Sequence, residues 1–99
     1  MDPLTGKQRR HLRALGQRLA PALHVGHDGV TDAVVRQAEA QLEAHELIKV
    51  RISENAPEDR HDVAARLATR TSAHLAQVLG RTALLYRRRR EDPTMVLPE

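Results

Sequence analysis

Four consecutive residues, Gly26, His27, Asp28 and Gly29, set two residues that lack a Cβ around one ring and one carboxylate. The chemistry open to such a set is anion binding by backbone. Without Cβ atoms a phosphate could approach exposed N–H groups closely, and a helix starting just downstream would add the positive end of its dipole. His27 could donate to that phosphate and would attract it more strongly when protonated, whereas Asp28 would repel it unless turned away. An Asp in such a place commonly bonds its own backbone. The same four residues also suit an ordinary strand-to-helix turn.

The charges around this stretch favour an anion. The 99-residue chain has 16 Lys and Arg against 13 Asp and Glu, a net charge of only +3, but the charges are segregated. Lys7, Arg9, Arg10, Arg13 and Arg18 lie near the start. Lys49 and Arg51 interrupt an apolar segment, and Arg81 and Arg87 to Arg90 lie near the end, while the middle from Asp28 to Glu46 is acidic. Clusters of this kind attract polyanions, with nucleic acid as the first partner to test. The only aromatic residue is Tyr86, which reads as a core or edge residue, so a base-stacking platform of aromatic rings is excluded. Recognition of backbone and shape is the mode that remains.

Other chemistry finds little support. With no cysteine, disulfides, thiolate metal sites and cysteine nucleophiles are excluded. His24 with His27, or His61 with Asp62, are the nearest approach to a metal pair, but no established ligand spacing occurs. Ser53 and Ser72 lie in no nucleophile motif, and Glu46 beside His45 reads as a helix-to-strand junction. No enzyme activity, cofactor, metal or small-molecule substrate is expected. No apolar stretch approaches the length of a signal peptide or membrane span, which predicts a cytoplasmic protein with no membrane partner.

The elements that must position these residues follow from periodicity. Thr5 with Gln8 forms a capping-box pattern, and Leu12, Leu15 and Leu19 then make one helical stripe, with Lys7, Arg10 and Arg13 opposite and Arg9 at the flank. Pro21 ends that helix. "ALHV" alternates as a short strand, with Leu23 and Val25 on one side and Ala22 and His24 on the other. Thr31 caps a second helix running to about His45, with Val34, Val35, Ala38 and Leu42 inward and an acidic outer face. "ELIKVRI" is a strand with Ile48, Val50 and Ile52 on one side and Lys49 and Arg51 on the other. A loop containing Pro57 leads to a third helix with Val63, Ala64, Leu67 and Ala68 inward. "HLAQVLGRTALLYR" reads as a hairpin turning at Gly80, Arg81 and Thr82. The tail from residue 89 is basic, then polar and proline-broken, and its end is expected to be loosely held. One domain over residues 1–88 follows, an α/β fold of compact two-layer type. Its order is α-β-α-β-α-β-β, with a mixed four-stranded sheet whose parallel crossovers come first and whose antiparallel pair comes last.

Three stretches together, "LTGKQRRHLRALGQRLAPALHVGHDGVTDAVV", "EAHELIKVRI" and "VLGRTALLYRR", resemble the CRM domain (chloroplast RNA splicing and ribosome maturation), in particular the stand-alone bacterial YhbY type. The likeness runs from about Leu4 to Arg88. It implies a fold similar to the C-terminal domain of translation initiation factor three, RNA binding by a Gly-x-x-Gly loop beside a basic surface, and association with precursors of the large ribosomal subunit. The loop carries over to Gly26, His27, Asp28 and Gly29, and Lys7, Arg9, Arg10, Lys49 and Arg81 fall where the family tends to carry basic residues. Arg13, Arg51, Arg87 and Arg88 join them on charge alone. The resulting expectation is a monomeric, non-catalytic RNA-binding protein that assists ribosome assembly. The alternative is a protein-interaction module whose basic first helix meets an acidic partner.

Overall fold

A computed structural model describes residues 3–99. Its first helix, α1 (Gly6–Gly16), begins as the capping pattern predicts: the Thr5 hydroxyl accepts from the Gln8 N–H at 3.1 Å while Gln8 Oε1 accepts from the Thr5 N–H at 3.0 Å. Two N–H groups that a helix start leaves without backbone acceptors are satisfied in this reciprocal way. The helix stops earlier than Pro21. Gly16 is buried where a Cβ would collide with the side chain of Leu84, so packing on the sheet demands a residue that disfavours continuing a helix. One tighter turn follows, through Arg18 N–H to Leu15 C=O and Leu19 N–H to Gly16 C=O.

The remaining elements are β1 (Pro21–Val25), α2 (Asp32–His45), β2 (Leu47–Ile52), α3 (Arg60–Arg70), β3 (His74–Leu79) and β4 (Thr82–Tyr86). The sheet order is β1-β2-β4-β3. β1 and β2 are parallel, and β4 runs antiparallel to both β2 and β3. The second crossover therefore skips one place, which the hairpin then fills. Pro21 stands at the start of an edge strand, where its missing N–H is tolerated.

Strand alternation divides the core in two. On one face Leu23, Val25, Ile48, Val50, Ile52, Ala83 and Leu85 meet Ala38 and Leu42 of α2 and Val63, Ala64, Leu67 and Ala68 of α3. This sheet with its two helices is the expected two-layer body. On the opposite face Leu47, Ala76, Leu84 and Tyr86 meet Leu12 of α1. Because α1 has only 11 residues, it covers part of that face, and the part near the end of β1 stays open. Tyr86 is buried and stacks on His74 with ring centroids 6.1 Å apart.

The tail departs from expectation. Glu46, fully buried at the end of α2, accepts hydrogen bonds from the N–H groups of Arg89 at 2.9 Å, Thr94 at 2.7 Å and Met95 at 2.9 Å, and from the Thr94 hydroxyl at 3.0 Å. A buried carboxylate needs such partners. They draw Met95 and Leu97 onto the Leu12 and Tyr86 cluster. Burial by itself would raise the Glu46 pKa, but the donors from Arg89, Met95 and Thr94 outweigh it and lower the pKa to about 2.

Candidate nucleic-acid interface

β1 delivers the glycine loop to one end of the sheet. Val25 C=O accepts from Ser53 N–H at 2.9 Å, and Ile52 N–H donates to Arg81 C=O at 2.8 Å. The loop after β1, the connection after β2 and the β3–β4 turn thus share one end. Gly29 N–H closes the turn on Gly26 C=O at 3.0 Å. Thr31 then caps α2, its hydroxyl accepting from Val34 N–H at 3.1 Å. The N–H groups of Asp32 and Ala33 belong to the first turn of α2, where no intrahelical acceptor exists, so the helix brings unsatisfied donors to the loop.

The two glycines have different reasons to be there. Gly29 has φ of +72°, and a Cβ on it would lie 3.1 Å from Pro57 Cγ. It is required by the fold. Gly26 has open space on the side where a Cβ would project, with nothing within 4 Å. Nothing inside the chain needs a glycine there, whereas a close-approaching ligand would.

The side chains of the loop are turned to each other. His27 Nε2 lies 3.4 Å from Asp28 Oδ1, and both side chains are exposed. The Asp28 carboxylate faces His27 rather than a backbone N–H of the turn, which differs from the self-bonded Asp that the sequence suggests. Asp32, a second carboxylate at the helix start, is held by Arg70: Nη2 to Oδ1 is 2.7 Å, while Nη1 donates to Val30 C=O at 3.3 Å. The Arg70 hydrogen bond and charge lower the Asp32 pKa. Arg70 thereby offsets the acidic group nearest the helix tip.

Beside the loop, cross-strand pairing aligns His24 with Arg51 and Arg51 with Thr82 on the face that α1 leaves open. His24, Arg51, Ser53, Glu54, Asn55 and Arg81 surround a recess of about 270 Å³. Arg81 Nε is 3.7 Å from Glu54 Oε1, both exposed, a pairing weak enough to be exchanged for a phosphate. Lys49 points to the same face, two residues before Arg51.

Other cations are placed elsewhere. Arg9 bonds inward, its Nη1 donating to Leu75 C=O at 2.7 Å, which ties α1 to edge strand β3 and covers carbonyls that an edge would otherwise offer to another chain. Arg87, one-fifth exposed, is held by Glu39 at 2.6 Å, Glu43 at 3.5 Å and Thr71 C=O at 2.9 Å. Lys7 and Arg10 are exposed on the outer side of α1, and Arg13, half-buried, shares the flank of Arg9. Arg88 is exposed past the end of β4, where β4 pairs with the start of β2, a strand length from the loop. Two groups at the loop end escaped sequence reasoning. His24 was legible as outward-facing, but its pairing with Arg51 is set by strand register. Nothing in the sequence connects Arg70 to Asp32. Among the described residues no group of three or more metal-ligating side chains forms, and no helix is long and apolar enough to cross a membrane.

Comparison with known proteins bears on this arrangement. The model of the CRS1 / YhbY (CRM) domain matches residues 4–87. The chain belongs to the CRM domain family. A Bacillus subtilis (strain 168) protein named "Probable RNA-binding protein YqeI" is 42% identical over 95 residues, covering 96% of this chain and 99% of that one. "Probable RNA-binding protein PA4753" of Pseudomonas aeruginosa is 34% identical over 85 residues, 86% of this chain and 82% of its own. The solution structure of the hypothetical protein SAV1595 from Staphylococcus aureus superposes with a TM-score of 0.82 at 36% identity, covering 96% of this chain and 99% of that one. In the present chain the CRM fold carries the Gly26–Gly29 loop, Arg51 and Arg81 at one end of its sheet.

Proposed function

We propose that this CRM domain is a non-catalytic RNA-binding protein. RNA phosphates would meet backbone N–H groups at Gly26–Gly29 and the start of α2, with Arg51, Arg81 and Lys49 supplying charge and His24 a ring N–H from the open sheet face. The observation that carries this reading is an unobstructed Gly26 at the end of the strand whose His24, with Arg51 and Arg81, lines one recess. Two of the relatives bear names that describe RNA binding, which agrees with it. Phosphate contacts of this kind position RNA without reading its sequence.

The RNA we assign is ribosomal RNA in precursors of the large subunit, bound in the cytoplasm by the monomeric protein during assembly. Lys7, Arg10, Arg13 and Arg88 would extend the contact outward from the loop, while Arg9 and Arg87 shape the scaffold. Sedimentation of cell extract, with and without nuclease, tests the assignment. Co-migration with large-subunit precursors that is abolished by nuclease is expected, and in-cell crosslinking should recover ribosomal RNA. Association that survives complete RNA digestion would favour the protein-interaction reading instead.

A further inference from the structure

We propose that a groove beside α1 receives an unpaired nucleobase of the bound RNA; the inference rests on the RNA reading above. The groove has a volume of about 460 Å³ and lies at the β1 edge of the sheet, between the end of α1, the last turns of α2, the start of β1 and β2, and the docked tail. Its size falls in the range of roughly 300 to 1,000 Å³ typical of small-molecule sites. Leu15, Leu19, Ala22 and Met95 provide apolar walls. Leu15 is 38% exposed at its lip, one of few large apolar side chains left at the surface.

The polar groups of the groove fit a nucleotide better than a purely apolar ligand. Gln41 offers both a donor and an acceptor, as the edge of a base requires, and His45 offers ring nitrogens. The guanidinium of Arg18 can lie flat against a base, a role arginine takes where aromatic rings are missing. Here the chain has no Phe or Trp, and its one Tyr ring is buried in the second core. Lys49 lines the groove and also adjoins Arg51 on the same side of β2, about 7 Å along the strand. The cationic strip therefore runs from the glycine loop past Arg51 and Lys49 into the groove. A phosphate chain following that strip would bring the next bases to its mouth. A base already paired within a duplex has no free edge or face to insert, so the groove would make the protein prefer unpaired nucleotides next to the contacted backbone.

Fluorescence anisotropy with two labelled RNA oligonucleotides of equal length, one single-stranded and one a blunt duplex, tests this. Ala22 is exposed, so Ala22→Trp should fill the groove without disturbing the fold, and Gln41→Ala should remove an edge contact while leaving the groove open. The wild-type protein should prefer the single strand. Ala22→Trp should lower single-strand affinity roughly tenfold or more and leave duplex affinity unchanged, with a smaller effect for Gln41→Ala. Single-stranded RNA should also shift the Met95 methyl resonance. Wild-type preference retained in both variants would overturn the groove alone. Absence of salt-sensitive binding to either oligonucleotide would overturn the groove and the RNA reading together.

Discussion

At Gly26 and Gly29 one residue type serves two purposes. Gly29→Ala should destabilise the protein by about 1–2 kcal/mol, because it forces a side chain into the left-handed region against Pro57. Gly26→Ala should leave the denaturation midpoint nearly unchanged, yet weaken RNA binding by adding a methyl group where the phosphate approaches. Equal RNA affinity in Gly26→Ala and the wild type, measured by filter binding, would remove that approach. Asp28→Lys should strengthen binding several-fold in the same assay, since an exposed carboxylate becomes an exposed cation beside the loop. A weaker complex would show that the His27–Asp28 pair itself shapes the site. The loop was legible because glycine spacing, the Thr31 cap and the strand before it are local signals. The distinction between its two glycines was not, because it depends on Pro57, brought close by tertiary structure.

Elements were read more fully than their ends. The capping box, the alternation in β2 and the apolar stripe of α3 each rest on residues within a few positions of one another, and each element formed as those residues dictate. The end of α1 did not follow from its leucine stripe, since Gly16 answers to Leu84 across the sheet. Gly16→Val should force Leu84 aside and cost about 1–3 kcal/mol of stability. Chemical denaturation measures it, and a change below a few tenths of a kcal/mol would mean that the second core repacks freely. The same dependence on distant partners explains why Arg9 and Arg87 read as surface cations. Charge pattern identifies a basic residue, but the acceptors that hold it inward, Leu75 C=O and the Glu39 carboxylate, lie tens of residues away in sequence.

Across the whole molecule, charge is sorted by the fold. Glu39, Glu43 and Glu46 of the α2 region engage the arginines at the far end, through side chains or backbone, leaving Arg51 and Arg81 beside the loop. Glu46 also couples the tail to acidity. With its carboxyl lowered from 4.5 to about 2, its contribution is complete above about pH 5 and is lost as pH falls towards 2, at most about 3 kcal/mol. Glu46→Gln should reproduce that destabilisation at neutral pH and loosen the backbone from Arg88 to Arg90, so that trypsin cleaves there faster. Unchanged stability and protease resistance in that variant would contradict this role of Glu46 in holding the tail.

The salt dependence of RNA affinity tests the central claim most directly. Every phosphate that a variant no longer neutralises should reduce the slope of log K against log salt by about 0.7 to 0.9. Removing both cations beside the loop, with Arg51→Ala and Arg81→Ala combined, should therefore flatten the slope by roughly 1.4 to 1.8 while the protein remains folded. A double variant with the wild-type slope and affinity would contradict the placement of RNA at this end of the sheet.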